Sequence, residues 1–369
     1  MADCLTVVRV LVLNPGSATL KGTVVEPPAR EPSFDRTTSW GDAHDTAAID
    51  GAVGTAVDEA GHGVEAVGYR VVHGGDRFTE ATLVDDDVIE AIEALGDLSP
   101  LHNPVAAATI RAARERLPDI PHVAAFDTAF HASLPEAARR YPVPDDWVAA
   151  GVRRYGFHGL SVAWSTRRAA EVLKRPIPDL RLVVAHLGGG CSVTAVDGGH
   201  SVDTSMGMTP LEGLMMGTRA GSIDPGIVFR MVRSGRSAES VEADLDRRSG
   251  LAGVAGTADV RELLERESAG DARAALALEL FVRRAAAGIA AATTTLPTLD
   301  AIVFTGGIGE HAAPVRDRIV ERLHLLGGAR RDASFEGDLV VRYERGPAVL
   351  VIAAREDLVI ADGVVSLAG

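Results

Sequence analysis

The sequence has little cysteine and no excess of positive charge. Its two cysteines, Cys4 and Cys191, cannot build a disulfide framework, so a reducing cytoplasm is the expected compartment. The formal net charge is −14 at pH 7. Because proteins that bind nucleic acid or anionic membranes usually present a basic face, we expect neither partner.

Membrane segments and the motifs of several enzyme classes are also missing. No run reaches the ~20 apolar residues of a membrane span, since threonines, Pro297 and Asp300 interrupt the alanine-rich segment 284–304. The amino-terminal apolar run lacks the flanks of a signal peptide and predicts a buried strand. Without H-E-x-x-H, C-x-x-C, G-x-S-x-G, a helix-opening G-x-G-x-x-G or a P-loop, the corresponding hydrolases, dehydrogenases and NTPases have no support.

The chain is long enough, and contains enough apolar residues, to form a large hydrophobic core. Its 369 residues predict two domains or three, and 46% of them are hydrophobic. Periodicity predicts strands at 7–13, 20–26, 64–72 and 122–131, a hairpin at 180–199 and a strand at 300–311. It predicts helices at 46–60, 85–96, 103–117 and 158–174, within 225–248 and 270–292, and from about Pro314, with a loop over the rest of 27–63.

One pattern occurs twice, 172 residues apart, at 8–25 and 180–197. In both, an apolar run meets a Gly/Ser turn and a β-branched return strand, which aligns Asn14 with His186 and Gly16 with Gly188. Any two hairpins with glycine turns look alike, and this is one explanation. The other is a duplicated α/β domain whose hairpins face each other across a cleft and offer backbone N–H groups to phosphate.

Four glycine turns follow apolar strands. They are NPGS (14–17), HGG (73–75), HLGGG (186–190) and TGGIGE (305–310). In open α/β sheets, ligands bind beyond the carboxyl ends of the strands. Four such ends could therefore line one cleft.

Several charged side chains have both a structural and a functional explanation. Arg219 lies among small residues that let a ligand approach, and either Asp224 or a bound anion could be its partner. Arg70 could form a local salt bridge, or it could grip an anion bidentately together with Arg219. Asp127 could cap a helix, or it could orient a metal or a reacting group.

Three further polar residues also have a structural explanation beside a functional one. His158, in YGFHG, fits a helix entry or a core position. His102 fits a turn before the N-cap and N1 pair that we expect at residues 103 and 104, and Glu356 fits a solvated loop. None of them decides the function alone.

Taken in order, these segments resemble the acetate kinase family, within the superfamily of acetate and sugar kinases, heat-shock chaperones and actin. The likeness runs from Val10 to about Asp362, and its most specific part is TSMGMTPLEGLMMGTRAGSIDPG. RVVHGG, PLHNP, FDTAFH, RRYGFHG, HLGGG and TGGIGEH, with Arg316 downstream, support it.

The resemblance implies an α/β fold of duplicated ribonuclease H-like (actin-like ATPase) domains with an interdomain cleft. The first domain would comprise residues 1–130 plus 357–369, and the second, for nucleotide binding and dimerisation, residues 131–356. A homodimer is implied as well.

The implied activity is reversible, ATP-dependent phosphorylation of acetate to acetyl phosphate by in-line transfer, with Mg²⁺ or Mn²⁺. Carried over by position, Asp127, His158 and Arg219 would be catalytic, Arg70 and His102 would bind substrate, and Asn14 and Glu356 would hold the metal. The ATP site would be lined by Lys21, His186, Leu187, Gly188, Gly189, Gly190, Asp259, Val260, Arg261, Gly307, Ile308, Gly309, Glu310 and His311.

Elementary chemistry agrees with these roles. A carboxylate substrate is ionised at pH 7, so it is already a nucleophile and needs no general base. Its attack on a negative γ-phosphoryl group needs positioning and charge neutralisation, for which arginines, an imidazole and a divalent cation are suited. For Asp127, orientation of metal and water and transfer of a proton therefore both stay open.

The sequence departs from the family at Gly189 and His311, where asparagine is usual, and at Leu160, where threonine is usual. It also departs in the turn AARE, which ends in Glu356. HLGGG is similar to the butyrate kinase branch, whereas RVVHGG and MMGTRAG favour the acetate branch. Two alternatives follow: a propionate or butyrate kinase, and a non-catalytic nucleotide-binding regulator. The presence of every candidate for the carboxylate site argues against the regulator.

Overall fold

The computed structural model describes residues 8–16, 18–40 and 45–368. Cys4 and Ser17 lie outside these ranges. The described chain forms two compact units: unit 1 holds the residues up to Ala132, Phe157–Leu160 and those from Arg355 on, and unit 2 holds Ser133–Gly156 and Ser161–Ala354. No helix within the described ranges is long and apolar enough to cross a membrane.

Unit 1 is built on a sheet with the strand order β3-β2-β1-β4-β6-β5. Its elements are β1 (Val10–Pro15), β2 (Thr19–Val25), β3 (Phe34–Ser39), α1 (Thr46–Ala60), β4 (Ala66–Val71), β5 (Thr82–Leu83), α2 (Asp86–Ala94), α3 (Asn103–Arg116), β6 (His122–Phe126) and α14 (Glu356–Ala368). The strands β1, β4 and β6 are parallel, and β2, β3 and β5 pair antiparallel.

Unit 2 is built on a second sheet with the order β11-β12-β13-β10-β7-β8-β9. Its first elements are α4 (Glu136–Arg139), α5 (Asp145–Ala149), α6 (Gly159–Leu173, entered from unit 1), β7 (Arg181–Leu187), β8 (Cys191–Asp197), β9 (His200–Thr204), α7 (Pro225–Arg233), α8 (Ala238–Arg247) and α9 (Gly250–Ala255). They are followed by α10 (Val260–Ser268), α11 (Ala272–Thr293), β10 (Ala301–Thr305), α12 (Gly306–His311), α13 (Ala313–Leu323), β11 (Gly327–Phe335), β12 (Asp338–Arg345) and β13 (Ala348–Val351).

The two sheets repeat one plan. In unit 1 an antiparallel meander, β1-β2-β3, is extended by the parallel strands β4 and β6, and in unit 2 β7-β8-β9 is extended by β10 and β13 in the same way. The repeated sequence pattern falls on the hairpins β1–β2 and β7–β8. A duplicated domain therefore explains that pattern better than chance likeness.

The interior strands are buried because both of their faces are covered. Leu11 and Leu13 of β1 and Val67 and Tyr69 of β4 are fully buried, as expected for parallel strands between helices. Gly68 allows α14 to pack closely, since a Cβ there would lie 2.5 Å from the side chain of Ile360. The core thus places the carboxyl ends of β1, β4 and β6 side by side.

Several elements differ from the sequence prediction. β3 lies in the stretch predicted as loop, and the hairpin β11–β12 was not predicted; most side chains of β3 and β11 are exposed, so no apolar alternation marks these edge strands. The run after β10 forms the short helix α12 rather than a turn, and 225–248 holds two helices. His102, rather than Asn103, is the N-cap of α3.

Candidate active site

Arg70 and Asp127 form a largely buried ion pair in unit 1. Arg70 is the penultimate residue of β4 and Asp127 follows the parallel neighbour β6, so both lie at carboxyl strand ends. The Nε of Arg70 donates to both carboxylate oxygens of Asp127 at 3.1 Å, and Nη2 donates to Oδ2 at 2.5 Å. Asp127 is fully buried, whereas the side chain of Arg70 is 17% exposed.

Asn14 and Glu356 complete this network. Asn14, near the end of β1, accepts from Arg70 Nη1 through Oδ1 at 3.3 Å and donates to Glu356 Oε2 through Nδ2 at 3.2 Å. Glu356 opens α14, and its Oε2 lies 3.7 Å from Arg70 Nε. We call Asn14, Arg70, Asp127 and Glu356 the strand-end cluster.

Two carboxylates and one guanidinium share this cluster. Burial raises the pKa of Asp127 to about 6; Arg70 works against this rise and Glu356 adds to it. Burial works to lower the pKa of Arg70, but the charges of Asp127 and Glu356 outweigh it and hold that pKa above its ordinary value. The cluster therefore has an excess of negative charge when both acids are ionised.

The two candidate histidines of unit 1 lie on turns tied to the same strand ends. His158 has a φ of 58°, and the next residue, Gly159, donates its N–H to the Asp127 carbonyl at 2.8 Å. His102 precedes Asn103, whose buried amide accepts from His73 N–H at 3.1 Å and donates to the His73 carbonyl at 2.9 Å. The structure therefore links both turns to the loops after β4 and β6.

Lys21 is not part of the strand-end cluster. It lies opposite Asn14 in the β1–β2 ladder, but its ammonium group pairs with Asp35 of β3 at 3.1 Å. Both side chains are about half exposed.

In unit 2, two candidate nucleotide segments lie against each other: 186–190, at the end of β7, and 306–311, which forms the short helix α12. We call both of them the glycine loops after their glycine-rich sequences. Gly306 has a φ of 77°, and a Cβ there would lie 2.9 Å from the Leu187 carbonyl oxygen. A Cβ on Gly188 would lie 3.8 Å from the N–H nitrogen of Gly307. His186 is held by a 2.8 Å hydrogen bond between its Nδ1 and the Ser161 hydroxyl.

Two further segments of unit 2 approach the glycine loops. Gly217, in MMGTRAG, donates its N–H to the Gly189 carbonyl at 3.4 Å. A Cβ on Gly217 would lie 3.3 Å from the Cβ of Ala258, which directly precedes Asp259. Asp259 caps α10 and pairs with Arg261 at 3.0 Å, and both of these side chains are exposed.

The C-terminal part of the 306–311 loop is fixed by side chains. Glu310 accepts from the N–H of Ala354 at 3.0 Å. Arg316 donates through Nη1 to the carbonyl oxygens of Gly309 and Glu310, both at 2.8 Å, and so satisfies the end of α12. Val260 is buried at the start of α10, and His311 is exposed.

Arg219 has a partner that the sequence did not suggest. Its Nε donates to Asp246 Oδ1 at 3.0 Å and Nη1 donates to the Pro210 carbonyl at 3.3 Å, while Asp224 caps α7 instead. Asp246 lies in a charge-rich helix 27 residues away, and Ser161, the partner of His186, lies 25 residues away. No local pattern marks either residue, because only the fold brings them to their partners.

The oxygen atoms of the strand-end cluster suit a hard cation. Within the described ranges, no group of three or more His, Cys, Asp and Glu side chains could hold a metal by itself. Mg²⁺, however, usually takes one or two carboxylates and completes its shell with water and substrate phosphate. The two carboxylates beside one guanidinium, with the Asn14 amide, fit that preference.

Solved structures share this fold across nearly the whole chain. The propionate kinase of Francisella tularensis has a TM-score of 0.87 at 34% identity and covers 96% of this chain and 98% of its own. The acetate kinase of Porphyromonas gingivalis has a TM-score of 0.84 at 30% identity, with coverage of 98% and 99%. The protein is therefore an α/β kinase-type protein of the actin-like ATPase fold, as the sequence predicted.

The sequence comparison is more specific. The acetokinase family matches residues 42–362. The acetate kinase of a Synechococcus species is 50% identical over 309 residues, which are 81% of this chain and 75% of that protein. The chain belongs to the acetokinase family.

Proposed function

We propose that this protein transfers the γ-phosphoryl group of ATP to the carboxylate of acetate, reversibly, giving acetyl phosphate and ADP. The family assignment and the acetate kinase at 50% identity support this activity. The observation that carries it is the arrangement of Arg70 at the carboxyl end of β4.

Arg70 is suited to bind a carboxylate because Asp127 takes only one edge of its guanidinium. Asp127 bonds to the Nε–Nη2 edge, and Asn14 accepts one N–H of Nη1. Counted over the described residues, these bonds leave one N–H of Nη1 and one N–H of Nη2, and guanidinium donors of this kind can receive a carboxylate. A pure nucleotide sensor has no use for such donors.

Asp127 then acts first as an orienting residue. Its buried carboxylate fixes the plane of the Arg70 guanidinium through three short contacts. Because the acetate carboxylate is ionised at pH 7, the attack requires no proton transfer to Asp127. His158 and Arg219 would supply the charge stabilisation that the phosphoryl group needs during in-line transfer.

Asn14 and Glu356 would hold Mg²⁺, or Mn²⁺ in its place. Bound there, the cation would neutralise charge on the ATP phosphates. Two carboxylates beside one guanidinium leave an excess of negative charge, which favours a cation at this cluster. His102 would contact the substrate from the start of α3.

For ATP, we propose the glycine loops and the segment 259–261 of unit 2, together with Lys21 of unit 1. Main-chain N–H groups of glycine turns can bind phosphate without a P-loop. Gly189 and His311 stand where the family usually has asparagine, so this chain would rely more on its backbone at these points. A homodimer and a cytoplasmic location stay predictions from the sequence.

The test is formation of acyl phosphate, trapped with hydroxylamine, from ATP and Mg²⁺ with acetate, propionate and butyrate in parallel. We expect the highest kcat/KM with acetate. A higher value with propionate would favour the second candidate, which the TM-score of 0.87 to a propionate kinase supports. No acyl phosphate from any acid, while ATP still binds, would favour the non-catalytic regulator.

A further inference from the structure

A buried histidine outside the candidate site contacts the backbone beside His158. His131 lies in the short 3₁₀ turn Ala129–Ser133 and is 2% exposed. Its Nε2 lies 2.9 Å from the carbonyl oxygen of Phe157. A carbonyl oxygen only accepts, so Nε2 carries the proton and donates it to the peptide group that joins Phe157 to His158.

A second contact also connects the turn after β6 to the turn around His158. It is the 2.8 Å bond from Gly159 N–H to the Asp127 carbonyl, where a Cβ on Gly159 would lie 2.2 Å from the accepting oxygen. His158 lies between these two bonds with a φ of 58°, which non-glycine residues seldom adopt. A conformation of that kind persists only when its surroundings enforce it.

The side chain of Phe157 adds a third constraint. Phe157 is 1% exposed, and its ring and the His73 ring pack edge to face with centroids 5.4 Å apart. The backbone of His73 is in turn fixed by Asn103. The ring is thus held from the β4 side, while the Phe157 carbonyl is held by His131.

We propose that His131 is a positioning residue: by donating to the Phe157 carbonyl, it holds His158 in the orientation required for phosphoryl transfer. This inference rests on the proposed function of His158. A misplacement of about 1 Å in a group near the reacting atoms can lower a rate by about 10²-fold. Loss of the His131 donor should therefore lower kcat and leave substrate binding nearly intact.

The experiment compares His131→Leu, which removes the donor, with His131→Gln, whose Nε2 can take the place of the imidazole Nε2. We expect His131→Leu to lower kcat by about 10- to 100-fold, with KM for acetate and for ATP within about threefold. His131→Gln should recover most of the loss. Should His131→Leu fail to fold, His131→Asn serves, since its shorter amide cannot reach the carbonyl.

His122→Leu is the matched control. His122 is also buried and also has its Nε2 2.9 Å from a backbone carbonyl, that of Leu117 at the end of α3. His122 begins β6, whereas Asp127 follows the other end of that strand. We expect this variant to lose stability but to keep kcat within about threefold. An equal loss of kcat in both variants would overturn the proposal, because any buried imidazole would then have the same effect.

Two further measurements separate this inference from the proposed function. In a His158→Ala background, His131→Leu should not lower kcat further; multiplicative losses would overturn the proposal. Hydrogen exchange of a peptide covering 157–159 should become faster in His131→Leu, whether or not the protein makes acyl phosphate. Unchanged exchange would overturn the inference, whereas a wild-type protein without acyl phosphate formation would overturn the proposed function.

Discussion

The two units use the same strand plan but present different kinds of chemical groups. In unit 1, the strand ends carry Asn14, Arg70 and Asp127, whose side chains bond to one another and to Glu356. In unit 2, the glycine loops present mainly backbone, and the side chains around them chiefly hold that backbone in place. The comparison separates a candidate site made of charged side chains from a candidate site made mainly of backbone.

The repeated hairpins show how the same strand plan presents side chains in unit 1 and backbone in unit 2. In unit 1 the last ladder pair is Pro15 with Leu20, and in unit 2 it is Leu187 with Cys191, so the second turn is one residue shorter. Asn14 and His186 occupy matching positions in the two hairpins. Asn14 bonds to Glu356 and Arg70, whereas His186 bonds to Ser161. The fold therefore fixes where the groups lie, and the residues decide what they bind.

The largest effect is expected for Arg219→Ala. Arg219 is the exception to the comparison, because it is a candidate catalytic side chain in unit 2, where the other candidate groups are mainly backbone. Arginines that stabilise phosphoryl transfer contribute about 10³-fold or more to kcat. We expect a loss of that order, with ATP affinity within about threefold, measured by steady-state kinetics and by calorimetry. A comparable loss of ATP affinity would instead make Arg219 a nucleotide ligand.

Arg70→Ala tests the charge-based site of unit 1. It removes the guanidinium edge that we propose for the substrate carboxylate, and it leaves Asp127 buried without its cation, a change that typically costs about 3–5 kcal/mol of stability. We expect kcat/KM for acetate to fall by about 10³-fold while KM for ATP changes little. Adding Asp127→Asn should recover stability but not activity; recovered activity would contradict the assigned role.

The buried imidazole of His131 makes the stability of unit 1 sensitive to pH. Burial lowers the pKa of His131 from its ordinary 6.5 to about 4. Since the folded state disfavours the proton, this group's contribution is complete above pH 6.5 and is lost as the pH falls toward 4, by about 3 kcal/mol. In urea unfolding, the free energy of unfolding of wild type relative to that of His131→Gln should therefore fall by about 3 kcal/mol between pH 6.5 and pH 4. A difference that does not change with pH would refute this origin.

Gly306→Ala tests the backbone-based site of unit 2. Its φ of 77° and its approach to the Leu187 carbonyl leave no room for a Cβ, so the two glycine loops must shift. We expect KM for ATP to rise by about tenfold, with KM for acetate within about twofold, and a stability loss of about 1–2 kcal/mol. Gly270→Ala is the control: its φ is 92°, but no atom would lie within 4 Å. Equal effects on KM would contradict the proposed nucleotide loops.

The smallest effect is expected for Lys21, the candidate ATP ligand of unit 1. Lys21 pairs with Asp35 in an exposed ion pair, which is worth less than about 1 kcal/mol. Lys21→Ala should leave stability nearly unchanged and raise KM for ATP by about threefold. Asp35→Ala breaks the same pair and should not change KM; equal KM values in both variants and the wild type would remove Lys21 from the ATP site.

The sequence predicted those features that depend on local pattern or on the family likeness. Helix 46–60 and the buried strands were found because their apolar spacing is regular, and the actin-like ATPase fold followed from the resemblance. β3 and β11 were missed since their exposed side chains leave no alternation. The pairing of Arg219 with Asp246 could not be read, because Asp246 belongs to a helix whose charges look solvated.

The place of α14 in unit 1 has a consequence for synthesis on the ribosome. This helix contacts β1, β4 and β6, and Gly68 leaves the space that Ile360 fills. The translating chain must add more than 200 residues after β6 before α14 emerges, which takes roughly 10–50 seconds at typical elongation rates. During that interval one face of the first sheet lacks its cover and Arg70 lacks Glu356. We therefore expect the nascent chain to depend on chaperones until residues 356–368 have been made.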